Sequence, residues 1–336
     1  MSKFPLLFLL ACICTLASCN TWKPGKSGQH KLAQKTFVIL GASSGFGRGV
    51  AEQLGRYRAR VVIAARRTDL LHEIADTIRK YGGSALVVTC DISKPEDIKH
   101  LADTAVKTYG KIDVWINMAG IATIGKFWDT PPADQVRVID VNLNGFVNAS
   151  YAAIDIFRKQ GYGTLINMGS VDSEVPLAYQ AAYAASKAGV RSLSLALSQE
   201  LRIAGYTRIK VVTIEPWAAD TPFWRHSANY TGGTPSMALL DPPQKIVNAV
   251  LRKSLRPRRE VPVGWKAHSI SMLHRHFPRL TERISANVAH HYQIKAGPPV
   301  PDTVGAIYHP MPTGRGIDDG VRAREKKEKR QRKGQK

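Results

Sequence analysis

Cysteine is scarce in this chain and unevenly placed. Three of the 4 cysteines, Cys12, Cys14 and Cys19, fall near the start, and Cys90 stands apart. That distribution excludes a disulfide framework. No pair has metal-ligand spacing, so no structural zinc and no metal site is expected. Cys90 ends the apolar run 85–90, where a thiol behaves as a small buried hydrophobe. Acidic residues are few as well: 26 Asp and Glu stand against 48 Lys and Arg, for a formal net charge of +22. Such an excess favours polyanions, either acidic lipid headgroups or nucleic acid. Zinc-finger spacing, an aromatic RNA-binding motif and a basic leucine zipper are all missing, so no motif speaks for nucleic acid. Internal repeats are missing too. The apolar run 4–16 is too short for a comfortable membrane span.

What is present begins with that run. Lys3 precedes it and Leu16-Ala17-Ser18-Cys19 follows, the layout of an export signal. The four residues resemble a bacterial lipobox, which implies lipidation of Cys19 and a membrane-associated protein. An uncleaved anchor or a start codon placed too early are the alternatives, and a cytoplasmic location then stays open. Residues 20–35 are polar, with Gly and Pro, and read as a tether.

From residue 36 short apolar runs alternate with helical periodicity. The runs are 36–40, 60–65, 85–90, 112–117, 163–168, 208–214 and 260–263. This alternation implies right-handed βαβ crossovers and a parallel sheet covered on both faces. The expected fold is α/β, a doubly wound parallel sheet of about seven strands. Ser93, with Glu96 three positions on, reads as a helix cap. Beyond Gly264 the regularity weakens. Residues 265–278 carry Trp265, Ile270, Met272, Leu273 and Phe277 among basic residues. They form either an amphipathic helix at a membrane surface or one packed back on the domain. Residues 296–316 are rich in Pro and Gly and should lack regular structure. Residues 322–336 are charged, and either disordered or a lone solvated helix.

Two motifs carry chemistry. Gly41-Ala42-Ser43-Ser44-Gly45-Phe46-Gly47 joins the first strand to the first helix. In that context Gly41 permits a tight turn, Gly45 lets a pyrophosphate approach the backbone, and Gly47 lets helix and strand pack closely. The second motif is Tyr183-Ala184-Ala185-Ser186-Lys187. Tyrosine and lysine four apart share a helix face. A phenol titrates near ~10, and a neighbouring ammonium would pull that value down toward general acid/base use. Ser170 stands thirteen positions before Tyr183, after a buried-strand pattern, and Asn142 lies further back.

With these residues the chain resembles the short-chain dehydrogenase/reductase family over residues 36–264, its Asn-Ser-Tyr-Lys tetrad falling on Asn142, Ser170, Tyr183 and Lys187. The resemblance implies a Rossmann-type sheet of order 3-2-1-4-5-6-7 and an oxidoreductase working on a hydroxyl/carbonyl pair. Tyr183 would move the proton, Lys187 lower its pKa and hold the nicotinamide ribose, Ser170 orient the substrate, and Asn142 hold a water. Cofactor contacts are implied at Gly41, Ser43, Ser44, Gly45, Phe46 and Gly47. Others are implied at Asp91 and Ile92 for the adenine, at Asn117, Ala119 and Gly120, and at Tyr183, Lys187, Pro216 and Thr221. The second strand ends in Ala65-Arg66. An acid in place of Ala65 would bind the 2′-hydroxyl of NAD, whereas Arg66 offers a fork for a 2′-phosphate. The expected cofactor is therefore NADP(H). Leu40, Met118 and Trp217 depart from the family pattern. They support a second reading, an NADP-binding membrane-associated scaffold with a vestigial site. The expected partners are a small apolar alcohol or ketone and an anionic membrane surface, with a homo-oligomer left open. Residues 265–336 form a basic extension outside the resemblance.

Overall fold

The structure, a computed structural model, describes residues 22–295 and 297–334. The segment read as an export signal, Cys19 included, lies outside the described residues.

The described residues open with helix α1 (Lys26–Ala33) and strand β1 (Thr36–Leu40), then α2 (Gly45–Arg56), β2 (Arg60–Ala65), α3 (Thr68–Lys80) and β3 (Ser84–Thr89). Next come α4 (Pro95–Tyr109), β4 (Val114–Asn117), β5 (Thr123–Gly125), α5 (Pro132–Ile139) and α6 (Gly145–Gln160). A single π-helical turn, Asp140–Asn144, joins α5 to α6. The second half runs β6 (Gly163–Met168), α7 (Ala181–Ile203), β7 (Ile209–Pro216), α8 (Phe223–His226), β8 (Ala228–Tyr230), α9 (Pro243–Leu255) and β9 (Glu260–Val263). Helices α10 (Gly264–His276), α11 (Pro278–Ala289) and α12 (Val321–Gly334) complete it.

Seven strands form one sheet of order β3-β2-β1-β4-β6-β7-β9, parallel throughout. This is the order expected from the sequence. The strands read as unbroken apolar runs because both faces are covered. Phe37, Ile39, Val61 and Ile63 face one core, with residues of α2, α3 and α9. Val38, Leu40, Val62 and Trp115 face the other, with residues of α4, α6 and α7. The short strands β5 and β8 pair in a second, two-stranded sheet that the sequence pattern did not announce.

Other parts differ from the sequence-based expectation. The second half of the stretch read as a tether is α1, and its Leu32 is fully buried in the first core. Lys94 rather than Ser93 precedes α4, because Pro95 occupies the first turn and presets its backbone. The Ser93 hydroxyl instead donates to Asp91 Oδ1 at 2.7 Å. The stretch 265–278 is helical and packs back on the domain along one face. Helices α10 and α11 bury Ala267, Ser271, Thr281, Ser285 and Ala289 yet expose Trp265, Met272, Phe277, Leu280 and Ile284. Among the described residues no helix is long and apolar enough to cross a membrane.

Residues 297–320 lack regular structure, as expected, but they run back across the carboxyl end of the sheet. Bridges tie Gly233 to Pro299 and Asn229 to Thr303, and Ile307 is fully buried in the second core. Helix α12 then starts at Val321, also fully buried, whose N–H donates to Asp220 Oδ1 at 2.9 Å.

Candidate active site

One cleft of about 330 Å³ opens along the carboxyl ends of the strands, where a doubly wound sheet offers a crevice. The glycine loop forms one wall. Gly41 has φ +90°, and a Cβ there would sit 2.5 Å from the Ala119 nitrogen. A Cβ on Gly47 would strike the Gly41 carbonyl. Glycine at these points keeps a flat cradle at the N-terminus of α2, where backbone N–H groups and the helix dipole suit a pyrophosphate. The residues therefore fit a dinucleotide. Ser43, Ser44, Gly45, Phe46, Asp91, Ile92, Ala119, Gly120, Pro216 and Thr221 all line the cleft as the resemblance implied.

Asn117 does not. Its side chain turns into the sheet, accepting from Trp115 Nε1 and donating to Asn167 Oδ1, each at 2.8 Å. It holds β4 to β6 rather than a ligand. Two departures from the family pattern are absorbed locally. Met118 N–H donates to the Leu40 carbonyl at 2.9 Å, so a main-chain bond ties the two segments whose family side chains would have paired.

At the end of β2 the two arginines divide their work. Arg66 lines the cleft, but its Nη1 and Nη2 donate to the carbonyls of Tyr308 at 2.9 Å and Ala306 at 2.7 Å. Arg67, which the sequence did not single out, donates from Nη2 to Ser44 Oγ at 2.7 Å and Ser43 Oγ at 3.1 Å. Its Nη1 reaches the carbonyls of Met311, Thr313 and Gly314. Burial works to raise the Asp91 carboxyl. Hydrogen bonds from Ser93 and the charges of Arg137 and Arg66 outweigh it and hold that carboxyl below its ordinary value.

The proton-handling residues meet at the inner end. Ser170 follows β6, and Tyr183 and Lys187 project from the first turns of α7. Lys187 is buried, and its Nζ donates to the Met168 carbonyl at 2.8 Å and lies 5.6 Å from the Tyr183 ring centre. Burial lowers its pKa to about 8, against the opposing charge of Asp172. The expectation that Lys187 pulls the phenol down is not met in this arrangement. Burial and the Asp172 carboxylate raise the Tyr183 pKa, and a hydrogen bond with Ser170 works the other way. The ammonium instead faces a backbone carbonyl. Asn142 is fully buried in the π-helical turn, the kind of bulge found at functional sites. Its amide exchanges two bonds with the Ile121 backbone and donates to Ser186 Oγ at 3.1 Å. The side chain thus braces the loop after β4 against α7, where a water-holding role had been expected.

Asp172 is a second residue the sequence reading missed. It lies in the single 3₁₀ turn after Ser170, buried and lining the cleft. Burial pushes its carboxyl up to about 7, against the pull of Lys187. Its proximity to a catalytic serine in sequence was the only available signal. Beyond Tyr183 the cleft turns apolar. Phe223 packs on Tyr183 with ring centres 5.4 Å apart. Trp217, Met237, Ile270 and Val288 extend the wall. Trp217, a bulky departure from the family glycine, is held by its Nε1 donating to the Ala238 carbonyl at 3.2 Å. The arrangement supplies a proton donor, a hydroxyl and an ammonium at the floor of an apolar slot. Among the described residues no cluster of metal-ligating side chains occurs.

Residues 35–230 match the family model described as short chain dehydrogenase. The chain is 33% identical over 281 residues to the uncharacterised oxidoreductase YxnA of Bacillus subtilis, covering 83% of this chain and 79% of that one. It is 38% identical over 194 residues to 3beta-hydroxysteroid dehydrogenase 1 of Eggerthella lenta, covering 57% and 73%. A solved structure of 3-ketoacyl-(acyl-carrier-protein) reductase from Brucella melitensis, complexed with NADH, superposes with a TM-score of 0.58 at 30% identity over 66% of this chain and 91% of that one. Taken with the seven-stranded parallel sheet and the Ser-Tyr-Lys cluster, these matches make the chain a member of the short-chain dehydrogenase/reductase family, an NAD(P)-dependent oxidoreductase acting on a CH–OH/C=O pair.

Proposed function

We propose that the protein is an NADP(H)-dependent reductase or dehydrogenase of apolar ketones or alcohols, with Tyr183 as general acid/base. One observation carries this reading: the cleft pairs a polar end built on Ser43 and Arg66 with an apolar end floored by Ser170 and Tyr183. Ala65 leaves no carboxylate to hold a 2′-hydroxyl, and Arg66 keeps a guanidinium beside the same spot. When bound, the nicotinamide would supply the hydride. Tyr183 would hold the proton that the substrate oxygen gains or loses, with Ser170 orienting that oxygen. Trp217, Phe223 and Ile270 would exclude water from it. An extended apolar substrate suits these walls, in keeping with the hydroxysteroid activity named for the Eggerthella relative. The vestigial-scaffold reading loses ground, since Leu40, Met118 and Trp217 are accommodated without closing the cleft.

Titration of NADPH and NADH against the native protein and Arg66→Ala tests the cofactor. Loss of a charge-assisted contact should cost about 1.5–3 kcal/mol, roughly ten- to a hundredfold in NADPH affinity, and leave NADH binding nearly unchanged. Equal native affinities for the two cofactors would sink the NADP assignment. NADPH consumption should then be followed over a panel of apolar ketones that includes 3-ketosteroids. Tight NADPH binding with no reduction across the panel would favour the scaffold.

We also propose that the protein binds an anionic membrane surface. Trp265, Met272, Phe277, Leu280 and Ile284 are exposed on α10 and α11, which also carry the exposed Arg275, Arg279 and Arg283. An apolar face set among cations matches an acidic headgroup layer over acyl chains. Ile270, Ile284 and Val288 of the same helices line the cleft, so an apolar substrate would enter from that side.

A further inference from the structure

The family match ends at residue 230, yet the cleft is walled in part by Ala306, Pro310 and Met311, far beyond it. The segment that carries them bonds to the dinucleotide half of the cleft at each step. Arg66 reaches the carbonyls of Ala306 and Tyr308. Arg67 reaches those of Met311, Thr313 and Gly314, and His226 Nε2 also meets the Thr313 carbonyl at 3.1 Å. The N–H of Gly45, in the phosphate cradle itself, donates to the Gly316 carbonyl at 2.9 Å.

Outside the cleft, side chains fasten the segment at both ends. Tyr308 Oη donates to Asp134 Oδ1 at 2.7 Å. Arg315 meets Glu73 at 3.3 Å, and Arg225 meets Asp319 at 2.9 Å. The buried Ile307 and Val321 hold it at two further points. A guanidinium has five N–H groups. Arg66 uses two of them on this strap, which leaves donors for an anion in the cleft. Arg67 is filled by the loop serines and the strap carbonyls, so it acts as a strut between the two walls.

We propose that residues 306–316 are the outer wall of the dinucleotide site: a strap from beyond the family match that closes over the adenosine half of a bound cofactor. The inference rests on the reading of the cleft as a dinucleotide site. A 2′-phosphate beside Ser43 would share Arg66 with the strap carbonyls. The same side chain would then hold ligand and cover together, so NADP(H) tightens the strap more than NAD(H) does. A bound cofactor leaves only when the strap lifts.

Two measurements on the full chain test this. Hydrogen exchange of the backbone amides of residues 303–320 should slow on adding NADPH, and slow less with NADH at matched saturation. The variant Arg315→Ala/Asp319→Ala cuts the ion pairs of Arg315 with Glu73 and Asp69 and of Asp319 with Arg225 without touching a cleft-lining residue. NADPH should leave it roughly three- to tenfold faster than it leaves the native protein, as expected for loss of a few modest pairs. Amides of 303–320 that exchange at the same rate or faster with NADPH bound would overturn the strap. So would an unchanged release rate in the variant. Failure of both dinucleotides to bind would overturn the strap and the proposed function together, whereas tight binding with an indifferent strap overturns the strap alone.

Discussion

Tyr183 and Asp172 have opposite demands on the same small volume. Tyr183→Phe keeps the ring against Phe223 and removes only the proton. Turnover should fall by about 10²–10⁴-fold while NADPH affinity stays within a few-fold of native. Turnover at the native rate in that variant would remove Tyr183 from the mechanism. Asp172 acts through charge. Its carboxylate raises the Tyr183 pKa, so Asp172→Asn should move the limb of the pH–rate profile that needs phenolate, seen in alcohol oxidation, to lower pH. An unmoved limb would show that the carboxylate does not act on the phenol. The same group affects stability with a definite sign. Its folded pKa of about 7 lies above the ordinary carboxyl value of 3.8, so the folded state holds the proton more tightly. Stability from this group is present at low pH and falls as the pH rises through about 7. Asp172→Asn should therefore gain on the native protein in thermal melts as the buffer is raised from pH 5 to pH 8. Parallel melting curves over that range would contradict the assignment.

Among the elements, α1 makes a clear test of where the domain begins. Leu32 is its one buried residue, and Leu32→Ala should cost about 2–5 kcal/mol of unfolding free energy in a denaturant titration, as for a core leucine. A change near zero would return this stretch to the tether first expected. The reason it read as a tether is physical. One large apolar residue in a mostly polar octet gives no period, and the core that buries it is built by distant strands and helices. The inner strands of the main sheet were legible because they are apolar on both faces, and a glycine loop between strand and helix is hard to mistake. Strands β5 and β8 are three residues each, too short for any pattern. Within the site, Ser170, Tyr183 and Lys187 were readable from spacing. The inward turn of Asn117 was not, because it depends on Asn167 across the sheet. Nor could the sequence show which of two adjacent arginines would face the loop serines. The strap was invisible for another reason: most of its bonds to the cleft run through backbone carbonyls, which every residue has.

At the scale of the whole molecule, charge and position work together. The segment from residue 326 onward is rich in Lys and Arg, as the exposed face of α10 and α11 is rich in Arg. Deleting residues 326–336 leaves the buried Val321 anchor intact and should weaken binding to anionic vesicles, most at low salt, without changing NADPH affinity. Equal flotation with and without this tail would remove its part in membrane binding. Metabolic labelling with a fatty acid, compared between the native chain and Cys19→Ala, tests the anchor, and label retained by the variant would exclude Cys19. The path of the chain has a further consequence for its synthesis. Arg66 and Tyr308 bond across 242 positions of sequence. When β9 has left the ribosome, the sheet, the glycine loop and the Ser-Tyr-Lys cluster can all assemble, but residues 265–316, the strap included, have yet to emerge. At translation rates of about 5–20 residues per second this interval lasts roughly 3–10 s. During it the nascent domain has an uncovered cleft, and a dinucleotide can enter without waiting for anything to lift. The first cofactor molecule can thus be captured during birth of the chain, and the finished protein would leave the ribosome already loaded.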